Sequence, residues 1–281
     1  MSAYPDVRCR RPAMRYHGGK WNLAPWIVSH FPEHRTYTEV FGGAASVLLR
    51  KPRSYAEVYN DLDGEVVNVF RVFRDHGQEL LVKLWATPFA RDEFIESYFA
   101  DQCPIEQARR TIARSFMGFG SASVTNMRHA TTRFVKPTTG FRANSTRSGS
   151  TPAHDWANYS EAAEALIERF RGVIIENKDA ASVLAQHDHA DALHYVDPPY
   201  VKSSLDAGAD YRFEMDDAQH CDLATTLKSL TGKVVVSGYH TDLYERLYKG
   251  WHRTERAALA DGAAKRTEVL WMNFTPGGQL I

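Results

Sequence analysis

A carboxylate, two prolines and an aromatic ring follow one another at Asp197-Pro198-Pro199-Tyr200, directly after the apolar run 193–196. The run predicts a short buried strand, and the prolines end it because proline lacks an N–H and fixes φ. Such a strand end suits a flat base with an exocyclic amino group. The amino group would donate to the carboxylate and to a carbonyl, while the ring stacks on the base. The alternative interpretation is a plain turn with Tyr200 as a core anchor.

The composition indicates a globular protein. A chain of 281 residues has room for one large α/β domain plus an insertion or small second domain. The three cysteines, Cys9, Cys103 and Cys221, form neither a disulfide framework nor a Cys-x-x-Cys motif. We therefore expect a cytoplasmic protein without a metal. The polar, basic residues 1–15 do not resemble a signal peptide, and no apolar run reaches membrane-spanning length.

Charge is unevenly distributed, although the formal net charge of the chain is zero. Residues 107–154 contain eight basic residues and no acidic residue. The basic residues are Arg109, Arg110, Arg114, Arg128, Arg133, Lys136, Arg142 and Arg147. A local surplus of positive charge attracts polyanions such as nucleic acids. The alternative is a solvated loop with a chance bias in charge.

Apolar periodicity predicts strands that alternate with helices in both ends of the chain. The predicted strands are 36–41, 55–59, 173–176, 193–196 and 234–237, with a closing hairpin of 253–257 and 267–273 and a helix at 44–49. Predicted helices 63–73, 78–85, 91–99, 105–116 and 156–171 surround a segment, 118–150, rich in Gly, Ser, Thr and Arg. This pattern favours an α/β fold with a mostly parallel, doubly wound sheet. Residues 1–74 and 171–281 would form one domain, and 75–170 an insertion.

In such sheets ligands bind outside the carboxyl ends of the strands. The turn Phe41-Gly42-Gly43-Ala44 follows the first predicted strand and permits close approach of the backbone to a ligand. It lacks both the G-x-G-x-x-G pattern and the Lys-Ser/Thr of a phosphate loop. The turn therefore favours a ligand with a ribose, an amine and a carboxylate over a pyrophosphate. Asp61 follows the second strand and is typical either of a ribose-hydroxyl acceptor or of a helix N-cap.

Two further positions leave both a binding and a structural interpretation open. Lys20 ends the loop 16–20, which begins with Tyr16 and contains two glycines. Its ammonium is a candidate partner for a ligand carboxylate, or it belongs to an exposed N-terminal turn. Asp179 ends the third predicted strand, where it would accept from an adenine amino group or cap the helix that starts at Ala180.

Taken in order, these motifs resemble the Dam-type (D12 class) adenine-specific DNA methyltransferases. The series is aromatic-x-Gly-Gly-Lys, Phe-Gly-Gly-Ala-Ala-Ser, Asn-Asp, a basic insertion, Asn-Lys-Asp and Asp-Pro-Pro-Tyr, and the resemblance spans about 15–274. It also covers 115–120, 236–239 and 267–273. The resemblance implies a Rossmann-like methyltransferase sheet, mostly parallel with an antiparallel C-terminal hairpin, plus an inserted helical DNA-recognition domain. One departure is Tyr16, where many relatives have Trp.

The resemblance also implies a reaction and its residues. S-adenosylmethionine would donate a methyl group to adenine N6 in double-stranded DNA after base flipping. The implied catalytic residues are Asp197, Pro198, Pro199 and Tyr200. The implied cofactor-binding residues are Tyr16, Lys20, Phe41, Gly42, Asp61, Asp179 and Asp197. The predicted DNA-binding residues are Arg114, Arg128, Arg133, Lys136, Arg142 and Arg147. We expect a monomer or weak dimer that is associated with the nucleoid through its substrate.

Three other functions stay open at this point. The same loop chemistry would serve cytosine N4 in DNA or an amino group in RNA, although cytosine-N4 relatives more often carry Ser in place of Asp197. A non-catalytic DNA-binding protein on the same fold is a second alternative. A NAD-dependent dehydrogenase shares the sheet but is disfavoured by the missing pyrophosphate fingerprint.

Overall fold

A seven-stranded sheet forms the centre of the fold. The computed structural model describes residues 7–120, 123–124, 139–143, 150–201, 212–259 and 265–277. The strands are β1 (Thr36–Glu39), β2 (Ala56–Asn60), β3 (Val173–Glu176), β4 (Ala192–Val196), β5 (Lys233–Tyr239), β6 (His252–Leu259) and β7 (Lys265–Met272). They lie in the order β3-β2-β1-β4-β5-β7-β6. Strands β1 to β5 pair in parallel, and β7 is antiparallel to both β5 and β6.

Ten helices are described, and most of them cover the two faces of the sheet. They are α1 (Ala24–Val28), α2 (Ser46–Arg50), α3 (Gly64–Ala86), α4 (Arg91–Glu96), α5 (Pro104–Met117), α6 (Pro152–Ala157), α7 (Tyr159–Phe170), α8 (Ala180–His187), α9 (Asp217–Ser229) and α10 (Asp242–Leu247). Helices α1 to α7 contribute to one hydrophobic core, and α8 to α10 contribute to the other.

Strand residues alternate between these two cores. On β5, Val235 packs into the core of α1 to α7, whereas Val234 and Val236 pack into the core of α8 to α10. On β7, Leu270 and Trp271 likewise face opposite cores. Successive side chains of a strand point to opposite faces of the sheet, so a sheet that is covered on both faces needs apolar residues at successive positions. The apolar runs in the sequence follow from this requirement.

The predicted α/β class, the mostly parallel sheet and the closing antiparallel hairpin are confirmed. Helix α2 begins at Ser46 rather than at residue 44, because Ala45 adopts left-handed backbone angles, with φ of +54° and ψ of +34°, at the end of the glycine turn. The helix predicted at 156–171 is divided at Asn158 into α6 and α7. The helices predicted at 63–73 and 78–85 merge into α3, which departs from helical geometry at His76.

The helices of the predicted insertion share their packing with the sheet. Phe116 of α5 and Phe170 of α7 belong to the same core as Tyr37 and Tyr195 of the sheet. Phe70 of α3 stacks on Phe170 with ring centroids 4.6 Å apart. The boundaries 75 and 170 stay a prediction, and the helices between them form a layer on one face of the sheet.

Candidate functional site

A cavity of about 390 Å³ opens at the carboxyl ends of the parallel strands. It lies between the turn after β1, the end of β2, the segment from β3 to α8, and the end of β4. Its volume is typical of a small-molecule site. The sequence-predicted residues that line it are Tyr16, Lys20, Phe41, Gly42, Asp61, Asp179, Asp197 and Pro199. The structure thus brings the glycine turn 41–44 to the same cavity, on the same edge of the sheet, as Asp197 and Pro199 of the acidic corner, residues 197–200. Pro198 and Tyr200 of this corner are not among the residues that line the cavity.

The turn between β1 and α2 packs too closely for side chains at its two glycines. A Cβ on Gly42 would lie 2.1 Å from Cε2 of the buried Tyr59. Gly43 has a φ of +47°, which favours glycine, and a Cβ there would lie 2.8 Å from the Tyr16 ring. The Tyr59 hydroxyl also donates to the Gly43 carbonyl over 2.8 Å. The cavity wall at this point is therefore bare backbone that a ligand can approach.

Asp61 ties this turn to the end of β2. Its Oδ2 accepts from the Gly43 N–H at 2.8 Å, and its Oδ1 accepts from the Asp63 N–H at 2.8 Å. Burial raises the pKa of Asp61 to about 6, against the lowering effect of these backbone hydrogen bonds. The helix N-cap of α3 is Asp63, which accepts from Glu65 N. Asp61 is therefore not the cap, and it holds a carboxylate at the cavity.

Asn60 and Asp179 organise the neighbouring wall. The Asn60 side-chain amide donates to Val40 O at 2.9 Å and to Lys178 O at 3.0 Å, and it accepts from Lys178 N at 2.9 Å. These bonds fix the ends of three adjacent strands relative to one another. Asp179 caps α8 by accepting from the N–H groups of Ala181 and Ser182 at 3.0 Å. The cap interpretation is thus observed, and the predicted contact of Asp179 with an adenine stays a prediction.

The acidic corner follows β4 and is held by two side chains. Asp197 Oδ2 lies 3.0 Å from Lys20 Nζ, and Asp197 Oδ1 accepts from the Ser237 hydroxyl at 2.8 Å. Ser237 in turn pairs with the Tyr195 hydroxyl at 2.9 Å. Lys20 is 6% exposed and also donates to the Gly18 carbonyl over 2.9 Å. Contacts at both oxygens, from Lys20 and from Ser237, therefore fix the orientation of the Asp197 carboxylate.

Tyr200 is anchored beside this carboxylate. Its hydroxyl donates to Oε1 of Glu268 on β7 over 2.6 Å, and its ring lies edge-on to Tyr239 with centroids 4.4 Å apart. Lys20 Nζ is 4.7 Å from the centroid of the Tyr200 ring and 3.9 Å from Glu268 Oε1. Burial raises the pKa of Glu268 to about 7, which the positive charge of Lys20 opposes and the negative charge of Asp197 assists.

Sequence reasoning missed four polar residues of this region. Glu268 and Ser237 lie within motifs noted in the sequence, but only the pairing of β5 with β7 and β4 brings them to the corner. Glu39 ends β1 and lines the cavity, and burial raises the pKa of its carboxyl group to about 8. Arg212 also lines the cavity and pairs with Asp63 at 2.8 Å. The predicted strand 36–41 placed Glu39 inside the strand, so no sequence pattern marked it as a residue of the cavity.

The prediction that Arg114 contacts DNA is wrong for this structure, because its side chain is fully buried. Its guanidinium forms an ion pair with Glu65 and donates to the carbonyls of Ser97 and Ser123. The arginine therefore joins α5 to the start of α3 and to the following loop. The charge of Arg114 also lowers the pKa of Glu65, which is about 2 despite burial.

Other basic residues of the acid-free segment are also paired within the chain. Arg109 and Arg110 both bond Glu106, at 2.7 and 2.9 Å, so their charge is largely neutralised locally. Arg142 is half-buried and donates to the Phe116 carbonyl over 3.2 Å. The four remaining predicted DNA-binding residues lie outside the described residues: Arg128, Arg133, Lys136 and Arg147.

The described residues contain neither a cluster of metal-ligand side chains nor a membrane-spanning helix. They contain no group of three or more His, Cys, Asp or Glu side chains arranged to hold a metal ion. Within the same part of the chain, no helix has both the length and the apolarity needed to cross a membrane.

The chain matches a protein-family model and resembles a curated relative. The model of the D12 class N6 adenine-specific DNA methyltransferases matches residues 16–261. A curated protein named type II methyltransferase M1.LlaDCHI, from Lactococcus lactis subsp. cremoris, is 25% identical over 282 residues. That alignment covers 94% of this chain and 95% of the relative.

Among solved structures, a match is the SAM-dependent methyltransferase from Agrobacterium tumefaciens, with 9% sequence identity and a TM-score of 0.34. The match covers 90% of this chain, and this chain spans 61% of the length of that structure.

Proposed function

The chain belongs to the D12 class of N6 adenine-specific DNA methyltransferases, and on that premise we propose that its cavity binds S-adenosylmethionine and that the corner 197–200 receives a flipped adenine. The observation that carries the proposal is the position of Asp197. Its carboxylate lines the same cavity as Gly42 and Asp61, at the carboxyl edge of the parallel strands. A methyl donor in that cavity and an amino group at Asp197 would be neighbours.

The residues of the cavity suit S-adenosylmethionine. Gly42 and Gly43 leave bare backbone at the wall, since a side chain at either position would clash with a tyrosine ring. The Asp61 carboxylate is placed to accept from ribose hydroxyls. The position of Lys20 in the cavity wall supports the predicted contact between its ammonium group and the methionine carboxylate. When bound, S-adenosylmethionine supplies an electrophilic methyl group on a positively charged sulfur.

At the acceptor side, Asp197 and Pro198 would orient the amino nitrogen of the base. The adenine amino lone pair is delocalised into the ring and is a poor nucleophile. If Asp197 and the Pro198 carbonyl each accept one N6 hydrogen, the nitrogen becomes more tetrahedral and its lone pair points at the methyl group. Lys20 and Ser237 fix the two Asp197 oxygens in advance. Catalysis of this kind is chiefly orientation and preorganised electrostatics.

Tyr200 would stack on the everted adenine. Base flipping costs about a few kcal/mol, and stacking on an aromatic side chain returns about 1–3 kcal/mol per base. Transfer would form the N–CH₃ bond as the S–CH₃ bond breaks, with the bonding electron pair remaining on the sulfur of the donor. The amino nitrogen would then be cationic and acidic, and Asp197 would take up the proton that it releases. A stronger base is not needed, because the proton leaves only after attack.

We propose that the acid-free segment 107–154 supplies much of the DNA-binding surface. Arg142 is the described candidate, and the segments 125–138 and 144–149 carry the remaining predicted basic residues. Lys and Arg contacts to phosphates make affinity fall steeply with salt. We predict that the protein is a monomer or weak dimer and that it acts on nucleoid DNA in the cytoplasm. A monomer would suffice, because each active site receives one flipped base.

Long-read sequencing of DNA from cells that express the chain tests this function. The expected result is N6-methyladenine at one fixed sequence context, absent from cells that carry an empty vector. N4-methylcytosine at a fixed context, or no modified base in cells that contain folded protein, would contradict the proposal.

A further inference from the structure

Glu268 is a buried carboxylate that the mechanism above does not use. It lies next to the acidic corner. It is 2% exposed and lies on β7, opposite Tyr239 of β5 and Arg256 of β6 in the strand register. A buried carboxylate is costly unless charged or hydrogen-bonding groups compensate it. Two of the residues that interact with Glu268 belong to the proposed active site, namely Tyr200 at 2.6 Å and Lys20 at 3.9 Å.

The hydrogen bond to Tyr200 restricts the ring that would stack on the base. A tyrosine side chain that is anchored at its hydroxyl cannot swing away, and the edge contact with Tyr239 at 4.4 Å holds its other side. The ring is therefore fixed before a base arrives. Preorganisation of this kind lowers the entropic cost of binding and of orientation.

Glu268 also competes with Asp197 for one lysine. Lys20 Nζ is 3.0 Å from Asp197 and 3.9 Å from Glu268, so two carboxylates share a single ammonium group. Lys20 still orients Asp197 at 3.0 Å, but an ionised Glu268 shares the positive charge of the ammonium group. The Asp197 carboxylate then keeps more of its negative charge and is a better acceptor for the hydrogens of an amino group.

We propose that Glu268 is a positioning residue for methyl transfer, which fixes Tyr200 through its hydroxyl and shares Lys20 with Asp197. The inference rests on the proposed function. It predicts that Glu268 acts through Tyr200 and that its ionisation affects the rate. It places no contact between Glu268 and the base itself.

The first experiment is a double-mutant cycle with Tyr200→Phe, Glu268→Ala and the double variant. Purified full-length chains are given tritiated S-adenosylmethionine and adenine-unmethylated bacterial genomic DNA, and kcat and KM are measured for each. Loss of a hydrogen bond to a charged group should lower kcat by about tenfold to a hundredfold in each single variant. The double variant should lose no more than the worse single variant. The matched control is Tyr159→Phe. This variant removes another buried hydroxyl, that of Tyr159 on α7, which donates to the Ala13 carbonyl, and it should leave kcat unchanged.

The second experiment compares the pH dependence of kcat between the wild-type chain and Glu268→Gln. The glutamine oxygen still accepts from Tyr200, but the side chain no longer attracts Lys20. The pKa of Glu268 is raised to about 7, so its ionised fraction, and with it the wild-type rate, should increase as pH rises through 7. This increase of kcat with pH should be absent in Glu268→Gln, whose kcat at pH 6 stays within about threefold of the wild-type value. The other titratable or charged groups that face Glu268 or neighbour it in the strand register are Lys20, Asp197, Tyr195, Tyr200, Tyr239, Arg256 and Arg266.

Two results would overturn the inference. If the loss of kcat in the double variant equals the product of the two single losses, Glu268 and Tyr200 act independently. If kcat of Glu268→Gln still increases as pH rises through 7, the sharing of Lys20 does not affect the rate. If Glu268→Ala does not fold, Tyr200→Phe carries the test, because wild-type kcat in that variant refutes the anchoring role. A wild-type chain that transfers no methyl group to any DNA contradicts the proposed function instead, so the two failures are distinguishable.

Discussion

Replacement of Asp61 by Asn tests the cofactor half of the site most sharply. The carboxylate accepts two backbone N–H groups at 2.8 Å, from Gly43 and Asp63. An amide offers one acceptor oxygen, so one buried N–H would face an NH₂ group. An unmatched buried donor costs about 1–3 kcal/mol, which lowers the melting temperature by about 2–10 °C for a chain of this size.

Affinity for S-adenosylmethionine should fall further than stability alone explains. Ribose hydroxyls that donate to a carboxylate form charge-assisted hydrogen bonds worth about 1.5–3 kcal/mol. Isothermal titration calorimetry of Asp61→Asn should therefore show a Kd about tenfold to a hundredfold higher than that of the wild-type chain.

Asp188→Asn is the matched control for this variant. Asp188 also accepts two backbone N–H groups at 2.8 Å, from Thr231 and Gly232, but it precedes β4 at the opposite edge of the sheet. This variant should lose a similar amount of stability and keep wild-type affinity. Equal loss of affinity in Asp61→Asn and Asp188→Asn would refute the assignment of Asp61 to the cofactor.

The pH dependence of the same titration adds an independent check. Burial raises the pKa of Asp61 to about 6, so the carboxylate is ionised above that pH and becomes protonated below it. Binding that requires the ionised form weakens by up to about tenfold per pH unit below 6. The wild-type chain should show this decline between pH 6 and 5, and Asp61→Asn should not. The same decline in both proteins would contradict the role of Asp61.

Three further variants probe the surroundings of the cavity. Gly42→Ala should lower both the melting temperature and the cofactor affinity, because its Cβ would lie 2.1 Å from a buried ring. The control Gly140→Ala has no atom within 4 Å of the added Cβ and should keep the wild-type melting temperature in differential scanning fluorimetry. Arg212→Gln removes two ion pairs at the cavity and should raise the calorimetric Kd for S-adenosylmethionine by about twofold to fivefold. Arg114→Met removes one of the two arginines that pair with Glu65, which keeps Arg212 at 2.9 Å. It should cost about 1.5–3 kcal/mol in urea unfolding, while the DNA affinity of the folded fraction stays unchanged.

The parts of the fold and site that could be predicted from the sequence are those that local patterns specify. The run before Asp197 is a strand, the prolines end it, and the turn at Gly42 stands at the same edge of the sheet. Asp197 and the turn at Gly42 each follow a parallel strand. They come together because the carboxyl ends of parallel strands lie at one edge of the sheet.

The parts that could not be predicted depend on pairings between distant residues. Glu268 reaches Tyr200 across 68 positions of sequence, only because β7 inserts antiparallel beside β5. Arg114 counts as a positive charge in a segment without acids, yet its partner Glu65 lies 49 positions earlier, at the start of α3. A charge count along the chain cannot detect such neutralisation, so it overstated the charge available to DNA.

Nucleoside mass spectrometry of methylated DNA tests the central claim most directly. Adenine-unmethylated genomic DNA is incubated with S-adenosylmethionine and either the wild-type chain or Asp197→Ala, hydrolysed to nucleosides and analysed. We predict N6-methyladenine with the wild-type chain and at least about a hundredfold less with Asp197→Ala, although that variant is folded. Equal amounts of N6-methyladenine from both proteins would contradict the account, as would N4-methylcytosine as the product of the wild-type chain.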